Sequence, residues 1–385
     1  MDVVFYNDVS VFGGHEVMFV NVLGYLLSKD RWELGVVYYN KNKQLESELA
    51  QLKDKYPKLK LFPEVYSSGR LQFLRALWAF SARSHLKALF NKLSPNCVVA
   101  VQGEISLSSV GIMSANDAGC YTLSYLPMAH TRKQRGESLA WLKEYFLRYY
   151  YRLPDSYITI SKSVGKQIRS HGATQPIDIV ENGISLDLLH VYDKAKSLAE
   201  LGVTNSGYVA ALCGRIEFKQ KGHDILLQAI AARIDDFKEW TVLIIGSGPD
   251  QKNLENMIID KALSDIVKIV PWQSDMSRVY SAIDMLLMPS QFEGVPVVLL
   301  EAMYYRLPIV ASNIDAMNEL LPMEWLFSVG DEKLFSERML QVKLDNSTAH
   351  VDSNYELVTE RFSRKRQEKS FYQVLNRCVE MVGGK

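Results

Sequence analysis

Residues 284–312 read DMLLMPSQFEGVPVVLLEAMYYRLPIVAS, and this stretch decides the fold that we predict for the chain. The apolar run 285–288, which Pro289 stops, is typical of a buried strand, and LPIVAS predicts a second strand. Between them, QFEGVP is a polar loop and VVLLEAMYYR has the composition of a helix. A strand–loop–helix–strand unit of this kind is the repeating module of a parallel α/β sheet.

Two carboxylates bracket the turn of this unit, because Glu293 lies in the loop and Glu301 lies on the helix with seven residues between them. Loops at the carboxyl ends of parallel strands are where ligands of α/β sheets bind. Gly294 allows close approach, and the helix N-terminus that follows favours anions. The alternative is a solvated Glu293 and a Glu301 paired inside the protein, which is the commoner outcome for two isolated glutamates.

The composition is that of a globular protein large enough for two domains, with 385 residues, 48% hydrophobic and 23% charged. The net charge is zero, but residues 1–185 carry +6 and residues 186–385 carry −6. This division argues against a general nucleic-acid binder and allows a first half that meets an anionic partner.

Several features of the sequence predict a cytoplasmic location. No apolar run approaches the roughly 18 residues of a membrane-spanning helix, and the first residues lack the basic region of a secretory signal. The four cysteines form no Cys-x-x-Cys pair, which favours reduced, structural thiols.

The first half begins with a strand (2–6), a loop containing FGGHE, a helix (15–28) and a strand (33–39). The order is that of a dinucleotide fold, but the G-x-G-x-x-G spacing is absent, so Gly13 and Gly14 indicate either a ligand loop or a tight turn. His130 follows another strand, where it is either a ligand contact or an ordinary surface residue.

Two basic and aromatic segments stand out in the first half, at 70–93 and 131–152. The first has the pattern of one amphipathic helix, and residues 41–60 predict a solvated helix before it. The first segment is either a core-packed helix with a solvated face or a surface that docks on an anionic membrane, and the second segment adds to the membrane interpretation.

The second half repeats the α/β pattern, with three loops at successive strand ends. They are GRIEFKQKG (214–222), GSGP (246–249) and the loop at Glu293. Arg215 and Lys221 are suited to neutralise a diphosphate. The backbone at Gly246 and Gly248 is suited to approach a phosphate. Together the loops predict a site for a diphosphate that carries hydroxyl-rich groups.

These motifs resemble those of the retaining glycosyltransferases of family 4, which have the GT-B fold. The matching pieces are FGGHE, IVENGI, GRIEFKQKGHD, IIGSGP and MPSQFEGVPVVLLEAM, and the last contains the family's Glu–seven–Glu spacing. The resemblance implies two Rossmann-like parallel α/β domains that face a central cleft, with a C-terminal helix packing back toward the first domain. The expected divisions are an acceptor domain (1–185), a linker (186–205), a nucleotide-sugar domain (206–355) and the terminal helix (356–385).

The resemblance also implies roles for individual residues. Arg215 and Lys221 would bind the donor diphosphate, Glu293 the sugar hydroxyls, Glu301 the ribose and His130 the donor sugar. Gly13 and Gly14 would form a loop against the phosphates or the acceptor, and Gly246 and Gly248 would be further donor contacts. Trp272 and Gln273 would contact the base. The sugar and phosphate would be met by Gly294, Val295, Pro296, Val297 and Val298. The loop GRIEFKQKG is one residue longer than the commoner form, so Lys219 competes with Lys221 for the phosphate role. The strand ending VAVQGE lacks the family's usual histidine, and Gln102 and Glu104 receive no role.

The expected function is transfer of a hexose from a nucleotide-diphosphate sugar, a UDP-sugar favoured over a GDP-sugar, to a glycan or lipid-linked acceptor. Synthesis of a bacterial surface polysaccharide such as lipopolysaccharide is the expected context. No cofactor or metal is expected, and the chain contains no Asp-x-Asp motif. The alternatives are a nucleotide-sugar epimerase of the same architecture and a non-catalytic nucleotide-sugar binder.

Overall fold

The computed structural model describes residues 1–69, 71–203, 207–345 and 348–383. Its internal contacts divide the chain into two compact units. The first consists of Met1–Lys133, Glu137–Asn182 and Lys365–Lys385, and the second of Gln134–Gly136 and Gly183–Arg364.

The first unit is built on a parallel sheet of seven described strands in the order β3-β2-β1-β4-β5-β6-β7. The central strands are apolar and buried on both faces, as the crossover helices of a parallel sheet require. The strands are Val3–Asn7 (β1), Leu34–Tyr39 (β2), Lys60–Glu64 (β3), Cys97–Val101 (β4), Tyr121–Tyr125 (β5), Ser156–Thr159 (β6) and Ile177–Ile179 (β7). The helices among them are Gly14–Ser28 (α1), Lys43–Lys55 (α2), Gln72–Arg75 (α3), Phe80–Leu93 (α4), Ser109–Asp117 (α5), Ala140–Tyr150 (α6) and Lys162–Ser170 (α7).

The second unit is built on a parallel sheet of six described strands in the order β10-β9-β8-β11-β12-β13. The strands are Tyr208–Cys213 (β8), Trp240–Ile245 (β9), Val267–Val270 (β10), Met285–Met288 (β11), Ile309–Ser312 (β12) and Leu326–Phe327 (β13). The helices are Lys194–Glu200 (α8), Phe218–Lys221 (α9), His223–Ala231 (α10), Gln251–Asp260 (α11), Met276–Ala282 (α12), Val297–Tyr304 (α13), Asp315–Leu320 (α14), Glu332–Leu344 (α15) and Thr348–Arg361 (α16). The unit predicted from residues 284–312 is confirmed as β11, α13 and β12.

The last helix, Arg364–Gly383 (α17), belongs almost entirely to the first unit, as predicted. Its Tyr372 ring lies 4.9 Å from that of Trp32, and its Phe371 ring lies 5.8 Å from that of Tyr125. A single helix over 356–382, however, was a wrong prediction. The helix is interrupted because Ser363 pairs with Ile184 in an isolated bridge, which takes the backbone out of helical geometry.

Two helix predictions in the first half are corrected. The helix expected over 41–60 ends at Lys55, and β3 follows it as the edge strand beside β2. The segment 70–93 is not one helix: Leu71 has a φ of +55°, and a 3-10 turn at Ala76–Trp78 separates α3 from α4. Arg70 of that segment lies outside the described residues. Helical structure in 131–152 is confined to α6.

The stretch 186–205, predicted as a linker, lies within the second unit, and its last two residues, 204 and 205, are outside the described residues. Helix α8 packs against α12 there. The Tyr192 N–H donates to Ser281 Oγ at 3.0 Å, and the Tyr192 hydroxyl donates to Asp275 Oδ2 at 2.8 Å. Its polar composition therefore reflects a surface layer on the second sheet.

In the part of the chain that the structure describes, no helix combines the length and the hydropathy that crossing a membrane requires.

Candidate functional site

Three loops meet at the carboxyl edge of the second sheet. They are the β8 loop (214–222), the β9 loop (246–249) and the β11 loop (289–296), and each follows the strand for which it is named. Because β8 lies between β9 and β11 in the sheet, the three loops are neighbours in space. The sequence placed them at successive strand ends, and the sheet order brings them together.

Backbone hydrogen bonds join the loops directly. The Ile216 N–H donates to the Ser247 carbonyl at 3.0 Å, and the Gln291 N–H donates to the Gln220 carbonyl at 2.8 Å. The β8 loop is therefore tied to both of its neighbours, which gives the edge a fixed backbone frame.

The two glycines of the β9 loop make this close approach possible. A Cβ on Gly246, whose φ is +151°, would lie 2.0 Å from the Gly214 carbonyl oxygen. A Cβ on Gly248 would lie 2.2 Å from the Ile216 carbonyl oxygen. Any side chain would force the loops apart. Contact between the β9 and β8 loops accounts for both glycines, so their phosphate role stays a prediction.

The centre of the loop cluster is an ion pair between the β8 and β11 loops. The Lys221 Nζ lies 2.5 Å from Glu293 Oε1, and the two side chains are only 15% and 7% exposed. The Ser290 hydroxyl donates to the same carboxylate oxygen at 3.0 Å. Removing either partner would leave a buried, uncompensated charge, which makes the two groups strongly interdependent.

Glu301 lies on α13 and has a neutral partner. The Tyr280 hydroxyl, from α12, donates to Glu301 Oε2 at 2.6 Å. Burial raises the pKa of the Glu301 carboxyl, and the hydrogen bond from Tyr280 offsets part of that rise. The structure therefore shows Glu301 with a partner inside the protein. This was one of the two alternatives that the sequence left open. The second carboxylate oxygen remains for another donor.

The charges of Glu301 and Lys221 both act on Cys213, the last residue of β8. Burial raises the pKa of the Cys213 thiol to about 12. The charge of Glu301 adds to this rise, whereas that of Lys221 opposes it. Cys213 is therefore a neutral thiol beside the site and not a nucleophile.

His223 begins α10 directly after the β8 loop and is fully buried. Burial, with a smaller contribution from the charge of Lys221, lowers the pKa of its imidazole to about 4. The ring is therefore neutral at physiological pH and adds no positive charge beside Lys221.

The other cations of the β8 loop differ from Lys221 in their exposure. The Arg215 side chain is 65% exposed, and its Nη1 lies 3.6 Å from Glu217 Oε2. Lys219 is also exposed. Lys221 contacts Glu293 and lies within the loop cluster, whereas Lys219 does not; which of the two binds a phosphate stays a prediction.

The backbone of the β11 loop leads directly into α13. Gly294 and Val295 are buried, Pro296 precedes the first helical residue, and Val297 and Val298 form the first turn. Amide groups in the first turn of a helix lack intrahelical partners and favour anions.

Trp272 and Gln273 follow β10 at the outer edge of the same sheet. The Trp272 ring is 54% exposed, and the Gln273 side-chain amide donates to the Pro271 carbonyl at 2.9 Å. An exposed indole offers a flat surface for stacking with a nucleotide base. The base contact expected of Trp272 and Gln273 stays a prediction.

The predicted residues of the first unit lie around α1 and β5. The Gly13 N–H donates to Glu16 Oε2 at 2.8 Å, and Gly14 begins α1 with open space where a Cβ would lie. His130 follows β5 and is 9% exposed. The ligand roles of Gly13, Gly14 and His130 stay predictions.

Gln102 and Glu104 received no role, and the structure gives each a structural one. The buried Gln102 amide donates to the Ile105 carbonyl at 2.8 Å and accepts from the Ser124 hydroxyl at 2.5 Å. Glu104 lies 2.9 Å from the Arg132 guanidinium.

Sequence reasoning missed two side chains that hold the glutamates. Ser290 was within the quoted stretch, and a hydroxyl three residues before a loop glutamate is a recognisable signal. Tyr280 lies in a short helix that precedes the stretch, and only the packing of α12 against α13 brings it to Glu301. No local pattern could have identified it.

Comparison with known proteins agrees with this description. The profile of the family described as Glycosyl transferases group 1 matches residues 207–345, which contain all three loops. An uncharacterized glycosyltransferase of Haemophilus influenzae is 38% identical over 96 residues, which are 25% of this chain and 27% of that protein. The O-antigen biosynthesis glycosyltransferase WclY of Escherichia coli is 23% identical over 53% of this chain and 57% of its own length. The chain thus matches less than two thirds of either relative.

A solved structure extends the likeness to nearly the whole chain. Alr3699/HepE of Anabaena, crystallised in complex with UDP-glucose, superposes with a TM-score of 0.78 at 16% identity, covering 98% of this chain and 100% of that one. The chain therefore has the GT-B fold, and its residues 207–345 match the profile of the glycosyl transferases group 1 family.

Proposed function

We propose that the chain is a retaining hexosyltransferase that takes its sugar from a nucleotide-diphosphate donor, with a UDP-sugar favoured over a GDP-sugar. The observation that carries the proposal is the buried pair of Lys221 and Glu293, in contact at 2.5 Å where three loops meet. An ammonium group suits a diphosphate, and a carboxylate suits sugar hydroxyls.

The donor diphosphate would be held by cations and helix amides. Lys221 is positioned inside the loop cluster to neutralise charge on the leaving phosphate, where stabilisation of developing charge lowers the barrier. The amides of Val297 and Val298, at the start of α13, would add to this stabilisation. The Arg215 side chain is exposed, and its ion pair with Glu217 is long, at 3.6 Å. Breaking this pair therefore costs little stability when Arg215 turns toward a bound phosphate.

The nucleoside would be recognised by Glu301 and the segment after β10. Glu301 keeps one oxygen for the ribose hydroxyls while Tyr280 occupies the other. Trp272 presents an exposed ring for the base.

The proposed reaction uses these groups without a protein nucleophile. The acceptor hydroxyl oxygen attacks the anomeric carbon on the face from which the diphosphate departs. The bond from that carbon to the phosphate oxygen breaks with its electron pair, and the departing oxygen takes the proton of the acceptor hydroxyl. The sugar therefore keeps its anomeric configuration. We propose that the reaction needs no metal ion, since Lys221 and helix amides supply the positive charge.

A glycan or lipid-linked acceptor, in the synthesis of a surface polysaccharide, completes the proposal. The UDP-glucose complex of the Anabaena structure and the O-antigen role in the name of the E. coli relative support this choice. A cytoplasmic location, where nucleotide sugars are made, follows from the same reasoning.

The test is a panel of UDP- and GDP-sugars incubated with candidate saccharide acceptors, in which released nucleoside diphosphate and product are measured. We expect one donor to be used, with the product in the donor's anomeric configuration. Glu293→Gln should lower turnover about a hundredfold, whereas Glu255→Gln, at an exposed position on α11, should change nothing. Undiminished transfer by Glu293→Gln would disprove the site. Donor conversion without any acceptor would indicate the epimerase alternative, and tight binding with no turnover the non-catalytic binder.

A further inference from the structure

The outer face of α6 in the first unit carries an exposed row of aromatic side chains. Trp141, Tyr145 and Tyr149 are 73%, 71% and 47% exposed. Residues four apart lie on one face of a helix, so the three rings form a continuous stripe. Large rings are normally buried or partnered, and a contiguous exposed group of them marks an interaction surface.

The opposite face of α6 fixes the helix in this orientation. Leu147 and Tyr150 are buried, and the Tyr150 hydroxyl donates to the Phe73 carbonyl at 2.8 Å. Lys143 is paired with Glu137 at 2.9 Å. The hydrophobic core is thus satisfied by the inner face, and the outer rings are additional to it.

Residues of the segment 71–80 extend the stripe. The Phe73 ring of α3 lies 6.2 Å from the Phe146 ring of α6. Trp78 and Phe80, which follow α3 in the chain, are 66% and 65% exposed. A shallow groove runs between the two segments, lined by Leu77, Tyr145, Phe146, Arg148, Tyr149 and Arg152. We call the exposed rings of α6 together with Trp78, Phe80 and this groove the aromatic face.

The charge of the aromatic face is positive. Arg148 and Arg152 are exposed, and within the described ranges neither has an ion-pair partner. Residues 71–93 contain no acidic residue, and residues 138–154 contain only Glu144. The Glu144 side chain is only 19% exposed, and its Oε2 lies 3.1 Å from the His171 Nδ1. The arginines are therefore exposed to solvent, whereas the one acidic side chain is mostly covered and has a partner within the fold.

We infer that the aromatic face docks on the surface of an anionic lipid bilayer. Trp and Tyr rings settle at the boundary between headgroups and acyl chains, and arginines beside them are attracted by anionic headgroups. A second copy of the chain is disfavoured as the occupant, because a two-fold interface would bring the same arginines face to face. Contact with a soluble polyanion would engage the arginines but would leave the rings in water.

Membrane docking does not depend on the proposed reaction, and the two can fail separately. Glu293→Gln should lose transfer and still bind vesicles. Variants of the aromatic face should lose vesicle binding and still bind UDP, because their side chains are exposed and lie on the other unit from the loop cluster.

The experiment is co-sedimentation of the full chain with vesicles of phosphatidylcholine, alone or mixed with phosphatidylglycerol. We expect binding to the mixed vesicles that weakens as salt increases. The triple substitution Trp141→Ala, Tyr145→Ala and Tyr149→Ala should weaken it at least tenfold. Arg148→Gln with Arg152→Gln should weaken it roughly 25-fold, about fivefold for each charge.

Matched controls place equivalent changes on the second unit. Ile259→Ala and Leu344→Ala remove apolar groups that are 68% and 79% exposed, and Lys238→Gln with Lys333→Gln removes two exposed charges. These variants should bind as the wild type does, and thermal melting should show every variant folded. Absence of vesicle binding, equal losses in the controls, or binding to soluble heparin without binding to vesicles would each overturn the assignment.

Discussion

Both sheets bury carboxylates at their carboxyl edges, but the partners of these carboxylates differ between the two units. In the first unit, Asp8 follows β1 and is 2% exposed. Its oxygens accept from the Tyr6 hydroxyl at 3.1 Å and from the Ser108 N–H at 3.1 Å. Glu16, also buried, accepts from the Gly13 N–H at 2.8 Å. Neutral donors of the fold hold Asp8, whereas Glu16 Oε1 also lies 2.6 Å from the His15 Nε2.

In the second unit, the corresponding edge holds Glu293 against the flexible ammonium group of Lys221 and gives Glu301 a single hydroxyl partner. A backbone N–H cannot leave its carboxylate without unfolding the loop, whereas a lysine side chain can turn to another anion. The comparison therefore separates carboxylates that hold a loop from carboxylates that can exchange partners with a ligand.

The largest predicted effect comes from Lys221→Ala. The change removes the cation proposed to stabilise the leaving diphosphate, so turnover should fall on the order of a hundredfold to a thousandfold. Lys219→Ala is the matched control, because Lys219 is exposed in the same loop, and its turnover should stay within about threefold of the wild type. Steady-state kinetics with the best donor decides between them. A larger loss in Lys219→Ala would reverse the assignment of the phosphate lysine.

Asp8→Ala tests the other side of the comparison. The substitution leaves the buried Tyr6 hydroxyl without its acceptor and removes one of the two acceptors of the Ser108 N–H. The free energy of unfolding should therefore fall by roughly 1 to 3 kcal/mol. Nucleotide affinity should not change. Denaturant unfolding and calorimetric titration measure the two quantities. A folded Asp8→Ala protein that no longer binds UDP would show that the first edge also serves the donor.

Tyr280→Phe should produce a smaller effect on donor binding. Loss of the hydroxyl removes about 1 kcal/mol of support from Glu301, so the KM for the donor should rise about fivefold while kcat stays the same. The hydroxyl lowers the pKa of Glu301, so the pKa should rise further without it. The ionised carboxylate is the form proposed to bind the ribose. As the pH is lowered, Tyr280→Phe should therefore lose donor affinity at a higher pH than the wild type does.

Tyr305→Phe is the control for this variant, because the Tyr305 hydroxyl donates to the His190 carbonyl at 2.7 Å and not to Glu301. Its pH profile of kcat/KM should match that of the wild type. If both tyrosine variants shift the profile equally, Tyr280 is a packing residue and does not position Glu301.

The smallest predicted effect is that of metal removal. If Lys221 and the helix amides supply the positive charge, EDTA should leave turnover unchanged. The measurement is the initial rate before and after chelation and again after Mg²⁺ or Mn²⁺ is added back. A rate that EDTA abolishes and Mn²⁺ restores would show that the reaction depends on a metal ion.

The second sheet and its loops could be predicted because their information is local. Apolar runs, glycines and the Glu–seven–Glu spacing all lie within single strand–loop–helix units. Edge strands were missed for a physical reason. The edge strand β3 reads KLFPE, with Pro63 and the exposed Lys60, and only its pairing with β2 defines it.

Interruptions that depend on distant contacts could not be predicted. The break after Phe362 depends on pairing with Ile184, far away in the sequence. The turn at Leu71 has a positive φ at a residue that gives no such signal. Likewise, Lys221 and Glu293 lie on two different loops. The motif of each loop indicated a charged residue, but neither motif indicated that the two residues are in contact.

The central claim is that the Lys221–Glu293 pair marks the donor site. Calorimetric titration of UDP, GDP and ADP onto the wild type, Lys221→Ala and Asp8→Ala tests it most directly. We predict that UDP binds the wild type and Asp8→Ala equally and binds Lys221→Ala at least tenfold more weakly. Equal UDP affinity in the wild type and in Lys221→Ala, or no binding of any nucleoside diphosphate, would contradict the claim.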